Sequence, residues 1–476
     1  MVAEEAKSGE EKKPMDSQCP YVRDNSNRCD QQALPGSKEH LCIFHEKVEA
    51  KDGKACVEAL LRQLDGGSHD LEGYRLPGVD LSGRVFHSDV NLRNAVFSGP
   101  ANFAEAMFPE LVELHGTTFE DKVVFDDVHF KGPVHITGAR FGGEALFRGT
   151  IFGDEALFEG TALGPLTKFD HARFVGDVRF DKVTVEGELY FGYAEFDKYS
   201  FFIDVVCQGQ ANFSFAEFRN YADFTRSTWK NMNMTAVIFE KRGCFDGAVI
   251  KAGTFEDAEL RHVTFRDVDL SNIFTTGASL EEAYMAEARW GKVERGPLGK
   301  KLVVKEETVA MEEETRDAVK RAEAAHRNLK ESYKNEGDYA MAGEFFIREM
   351  ALRTRALKMD KEYAAWLSNN VVSVLCGYGE RPTRVIFWWF AFVIIFASIY
   401  FTGQLIAPSD GSEIDYNTSG GFLTCLYFSV VTFTTLGFGD IQPVTDAGRA
   451  VASVEAFTGA FMIALFVLVF GRRMIR

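Results

Sequence analysis

The chain has 476 residues, too long for one compact domain and enough for about three. It carries 53 basic and 70 acidic residues, a net charge of −17, which argues against a nucleic-acid partner, since phosphate binding needs clustered Lys and Arg. Eight cysteines do not make a disulfide scaffold, and a mean hydropathy of −0.13 excludes a chain that is membrane-embedded throughout but allows a few spans. The unusual count is 43 phenylalanines, many of them regularly spaced.

Residues 1–15 are charged and lack the apolar core of a signal peptide, so a disordered cytoplasmic start is expected. Residues 16–60 hold Cys19, Cys29, Cys42 and His45, spaced C-x9-C-x12-C-x2-H. Half the cysteines of the chain and a histidine in so short a stretch fit a small zinc-finger-like module with a Cys3His structural Zn2+ site. Metal would supply the folding energy that so small a core lacks. The closing C-x2-H is typical of such sites, whereas nine residues between the first two cysteines are not; reduced, unligated thiols are the alternative. Cys56 reads as a buried bystander.

From Phe97 to Phe224 large apolar residues recur in alternating steps of six and five, beginning Phe97, Phe103, Phe108, Leu114, Phe119. The departures from Phe are themselves periodic: Leu163, Val185, Cys207 and Trp229 stand 22 apart. A 22-residue period is neither helical nor strand-like and points to one coil of a solenoid with four short sides. Two positions before each rung the residue is small or β-branched, as at Ala95, Ala106, Ala139 and Ala156. Near the end the steps become pure fives, at Ile250, Phe255, Leu260, Phe265 and Leu270.

The segments ANFAEAMF, ANFSFAEF and TFEDAEL resemble the pentapeptide-repeat family. That resemblance implies a right-handed quadrilateral β-helix over residues 75–290. Roughly ten coils stacked at about 4.8 Å would make a rod on the order of 50 Å long. His115, His129, His135, His171 and His262 are scattered and read as surface residues.

Residues 300–378 read as a helical linker hairpin with an amphipathic stripe at Ala324, Leu329, Phe345, Phe346, Met350 and Leu357. Glu336-Gly337-Asp338 marks the break between its two helices, and the second runs on to Trp366 and Val371–Leu375, on the inner membrane surface.

Residues 380–476 are a different material, because all but one unit of the net negative charge lies upstream of them. A first span is expected over 384–403, where nineteen residues from Val385 carry no charge and reach about 28 Å as a helix. A second is expected over 450–471, with Glu455 its one charge. Arg381 and Arg384 precede the first span, and Arg472, Arg473 and Arg476 follow the second. The connecting loop is acidic, so both termini are placed in the cytoplasm. Between the spans lies a short apolar helix over 421–434, too short to cross. It is followed over 435–440 by Thr435-Leu436-Gly437-Phe438-Gly439-Asp440, whose alternate glycines allow successive carbonyls to point one way.

This arrangement is similar to the pore module of potassium channels, with their T-x-G-[YF]-G-D filter, and covers about a fifth of the chain. The resemblance implies a homotetramer in a lipid bilayer of the plasma membrane. It implies K+ ions in the filter, held by the carbonyls of Thr435, Leu436, Gly437 and Phe438, with Thr434, Gly439 and Asp440 as support. Gly459 stands where a gating hinge is often found, with close helix packing as the alternative. Ala460, Ile463 and Val467 would line the pore, and Glu455 would either brace the pore helix or sit solvated at the interface. Phe438 replaces the usual tyrosine and Tyr427-Phe428 the usual tryptophan pair, so the hydroxyl-to-indole bracing behind the filter is expected to be missing. No arginine-rich voltage sensor and no catalytic grouping is found, so the chain reads as multidomain and not an enzyme: a β-helix, an all-α pore domain and the small N-terminal module. The function expected is a potassium-selective channel regulated or scaffolded by the β-helix. A non-selective cation channel, or a membrane-tethered acidic scaffold with a vestigial pore, are the alternatives.

Overall fold

The computed structural model describes residues 18–24, 26–285, 287–294 and 300–474; the charged start at 1–15 lies outside the described residues. The chain divides into two compact units, Met1–Thr308 and Val309–Arg476.

The first unit is a parallel β-solenoid. Most of its strands are only two residues long, because each coil turns a corner every five or six residues. On one side Arg75, Val96, Thr118, Arg140, Ala162, Thr184, Val206, Thr228 and Val249 stack in parallel register, giving about nine turns. The coil length is 22 residues in the middle and falls to 20 where Gly253 pairs with Ile273 and Asp269 with Arg289. The expectation of ten coils included this last stretch, where isolated bridges largely replace strands.

The Phe ladder fills the interior. Phe169 and Phe191, one coil apart, stack with centroids 4.8 Å apart and planes within 5°, as do Phe202 and Phe224 at 4.8 Å and 1°. Across the interior the rings meet edge to face, Phe180 on Phe191 at 5.3 Å and 83°. Edge-to-face and stacked pairs add about 0.5–1.5 kcal/mol each beyond their area burial. The small residues before each rung, such as Ala95, Ala106 and Ala156, are buried. Coil-to-coil backbone bonds hold the layers, for example Phe169 N–H to Tyr190 O and Phe180 N–H to Phe201 O, both 2.7 Å. The scattered histidines, His171 and His262 among them, lie exposed or half-buried on the outside.

A second period accompanies the ladder. A left-handed residue falls every eleven positions at the five-residue corners, as at Glu105, Asp127, His171, Tyr193 and Phe215, with φ between 56° and 61°. These corners accept charged and aromatic residues, so residue type did not mark them.

A solenoid must close its ends. At the start, helix α1 (Gly53–Asp65) buries Cys56, Leu60 and Leu64, with Asp52 accepting from the Lys54 and Ala55 amides at its N-cap. Phe44 stacks on Tyr74 at 4.4 Å, and the Arg75 amide bonds to the Phe44 carbonyl. At the other end Glu306, in the first turn of helix α2 (Lys305–Glu313), accepts from the Thr275 amide and from the hydroxyls of Thr275 and Thr276. Burial pushes its carboxyl above the usual range despite these donors.

In the second unit, helices α3 (Arg316–Glu336) and α4 (Tyr339–Met359) form a hairpin. Gly337 ends α3 in the left-handed conformation and Asp338 caps α4 through the Met341 amide. Val319, Ala322, Leu352 and Ala356 are buried between the two helices, and Glu349 of α4 pairs with Arg327 and Lys330 of α3 at 3.0 and 2.9 Å. The expected continuation to Trp366 is broken: α4 stops at Met359, Lys361 turns left-handed, and a separate helix α5 (Tyr363–Cys376) comes next. Helix α6 (Pro382–Gly403), helix α7 (Ser419–Phe433) and helix α8 (Asp446–Met474) complete the unit. By length and composition α6 and α8 can cross a membrane and α7 cannot.

Candidate pore and metal-binding residues

The N-terminal cysteines are brought together by a small antiparallel turn, with bridges Gln18–Gln32 and Val22–Arg28, and by the loop that enters α1. Cys19, Cys29, Cys42 and His45 are all buried, and their ligand atoms lie within 4.8 Å of one another. Cys29 Sγ and Cys42 Sγ are 3.9 Å apart, and Cys19 Sγ and His45 Nδ1 3.6 Å. Two ligands at about 2.3 Å from a tetrahedral ion lie roughly 3.8 Å apart, so the donor set fits a zinc-sized ion. His45 Nε2 is 3.1 Å from the Glu72 carbonyl. A carbonyl only accepts, so the proton is on Nε2 and the Nδ1 lone pair faces the thiols, the orientation a ligand needs. Tyr21 stacks on the imidazole at 3.9 Å and fixes its plane. The hydrogen bond to Cys42 lowers the Cys29 thiol pKa, while Cys29 and burial raise that of Cys42. Cys56 is buried with its thiol on the Ile43 carbonyl, outside the cluster.

In the C-terminal unit, one buried carboxylate ties three helices together. Glu455 of α8 is fully buried; it accepts from the Tyr400 hydroxyl of α6 at 2.7 Å and from the Ser429 hydroxyl of α7. Ser429 also lies 2.9 Å from the Val393 carbonyl of α6. Of the two sequence-based readings of Glu455, the bracing role is therefore the observed one. Its partners were not named from sequence, although a lone Ser in the apolar run of α7 and a Tyr in that of α6 were the available signals.

Helix α7 ends against this brace. Thr434 caps it with its hydroxyl 2.7 Å from the Val430 carbonyl, and the Thr435 and Leu436 amides bond back to Thr432 and Val431 at 3.0 Å. The chain then leaves the helix with φ of 58° at Thr435, 57° at Gly437 and 79° at Gly439. Left-handed φ at alternate residues turns successive carbonyls to the same side. Among the described residues, no backbone N–H donates to the carbonyls of Thr435, Leu436, Gly437 or Phe438. The exit is pinned by the strand pair Ile406–Pro408 with Ile441–Pro443, and by the Ser409 amide on the Asp440 carbonyl at 2.8 Å.

Gly459 is buried against the C-terminal end of α7, where an added Cβ would collide with the Phe433 carbonyl. Ala460, Ile463 and Val467 lie together on the exposed side of α8.

An ion channel family model matches residues 388–476, and a model of pentapeptide repeats matches residues 81–129 and 125–172. Two-pore potassium channel 1 of Arabidopsis thaliana is 35% identical over 72 residues, 15% of this chain and 20% of that protein. Potassium voltage-gated channel subfamily A member 5 of Mustela putorius furo is 38% identical over 82 residues, 17% of this chain and 12% of that protein. The chain thus spans a fifth or less of the length of these relatives. Among solved structures, HetL, a pentapeptide repeat protein from the cyanobacterium Nostoc sp., aligns with 49% of this chain and 95% of its own at 16% identity and a TM-score of 0.29. This chain joins an ion channel domain, with potassium channels among its relatives, to a pentapeptide-repeat β-solenoid.

Proposed function

We propose that the chain assembles as a homotetramer around a potassium-selective pore in the plasma membrane, with the solenoid as a cytoplasmic regulator or scaffold. The observation that carries this reading is the 435–440 segment, with alternating left-handed φ and no backbone donors to four successive carbonyls among the described residues. Carbonyls outside helix and sheet need another partner at membrane depth, and a dehydrated cation is one. In this reading the Thr435, Leu436, Gly437 and Phe438 carbonyls coordinate K+, the Thr435 hydroxyl adds a donor oxygen at the inner end, and Thr434, Gly439 and Asp440 hold the segment in place. One chain supplies one such strand, and a ring needs four. Leu436 and Phe438 are 61% and 66% exposed in the single chain, which fits side chains awaiting neighbouring subunits. Ala460, Ile463 and Val467 then line the pore, and the flanking arginines keep both termini cytoplasmic. The Cys19, Cys29, Cys42 and His45 cluster holds a structural Zn2+ that folds the module at the solenoid's start.

The channel reading is tested by potassium flux into liposomes containing purified protein. Wild type is expected to conduct, and Gly437→Asp, which puts a charged side chain at a left-handed position, to lose at least tenfold; equal flux from both would sink the reading.

At Gly459 the Phe433 contact favours packing over a hinge. Gly459→Ala should therefore lower thermal stability by about 1–3 kcal/mol and reduce flux with it. Altered channel opening with unchanged melting would favour the hinge instead.

Metal analysis of protein purified without chelators should give about one zinc per chain, reduced strongly by Cys42→Ser. Zinc-free folded protein would contradict the site.

A further inference from the structure

Outside the pore segment and the thiol cluster, charged and aromatic groups meet at the corner Gly377-Tyr378-Gly379-Glu380-Arg381, between α5 and α6. Gly377, Tyr378 and Gly379 are consecutively left-handed, with φ of 56°, 59° and 86°. A bulky residue in that region costs free energy, so surrounding contacts must hold the corner in shape. Tyr378 is buried and its hydroxyl lies 3.1 Å from the Thr354 hydroxyl of α4. Arg381 pairs with Glu344 of α4 at 3.4 Å. The Glu380 side chain is only 12% exposed and pairs with Arg472, at the inner end of α8, at 3.4 Å.

Arg472 also reaches α4 itself, its guanidinium 5.5 Å from the Phe346 ring centroid. The Glu380 carboxylate packs where α4 has no side chain: a Cβ at Gly343 would lie 2.9 Å from its Oε2. Three elements distant in sequence, α4, the corner and the end of α8, thus share one set of contacts through Arg472 and Glu380. The Glu380 end of this ion pair is shielded from water, so the pair is screened less than a surface one.

We propose that this corner is a latch: it couples α4, part of the helical connection to the solenoid, to the inner end of α8, so that displacement of α4 moves α8. Arg472 and Glu380 are its positioning residues. The latch rests on the channel reading and adds the route by which the cytoplasmic region acts on the pore. A purely structural anchor would also hold these residues together, but it would not make their effects on conduction depend on one another.

The test uses full-length protein in liposomes, with Arg472→Gln, Glu380→Gln, their double variant, and the charge swap Arg472→Glu with Glu380→Arg. Each single change is expected to alter steady potassium flux at least threefold, both in the same direction. The double variant should go no further than the larger single effect, and the swap should return flux to within twofold of wild type. Hydrogen exchange, followed by mass spectrometry, should also quicken at residues 341–348 in Arg472→Gln. Unchanged exchange with unchanged flux overturns the latch, as do single effects that simply multiply in the double variant. A wild type that carries no potassium overturns the channel reading, and the coupling with it; the exchange result still separates that outcome from a latch that never formed.

Discussion

A backbone carbonyl removed from water needs a partner, and this constraint organises both units of the chain. In the solenoid each coil gives its carbonyls to the amides of a neighbouring coil, so two-residue strands suffice and the Phe ladder has only to fill the space inside. In the C-terminal unit the spanning helices satisfy their own carbonyls. The segment after α7 is the exception, with left-handed φ at Thr435, Gly437 and Gly439. Its shape is held from outside, by the α7 terminus behind it and by the strand pair and the Ser409–Asp440 backbone bond after it. Glu455 makes that possible, because its bonds to Tyr400 and Ser429 join α6, α7 and α8 through polar groups at that depth.

The ends of the solenoid obey the same rule. The Thr275 amide is taken by Glu306, and the Arg75 amide by the Phe44 carbonyl of the thiol-bearing module. The module therefore serves the solenoid as well as itself: His45 is oriented by Glu72, next to the first coil, and Phe44 stacks on Tyr74. Metal at the four ligands would thus fix both the module and the start of the rod.

The features legible in the sequence were those set by side-chain periodicity. Phe at alternating steps of five and six marked the solenoid and its interior because every rung must point inward. The two long apolar runs marked α6 and α8 because a bilayer sets their length. The Cys and His cluster was visible because few chemistries use those residues together. Features set by the backbone or by contacts distant in sequence were hidden. The left-handed corners recur every eleven residues but accept Glu, Tyr and Phe alike, so no residue type announced them. The break after Met359 turns on a left-handed Lys361 inside a helix-favouring stretch. Tyr400 and Ser429 facing Glu455, and Arg472 facing Glu380, join positions that only the folded chain brings together.

Residues 435–440 are the part of the chain proposed to select potassium. The most direct measurement is the reversal potential of purified full-length protein in a planar bilayer with potassium on one side and sodium on the other. A reversal far toward the potassium equilibrium potential is the predicted result. A reversal near zero, with sodium and potassium carried alike, would contradict it.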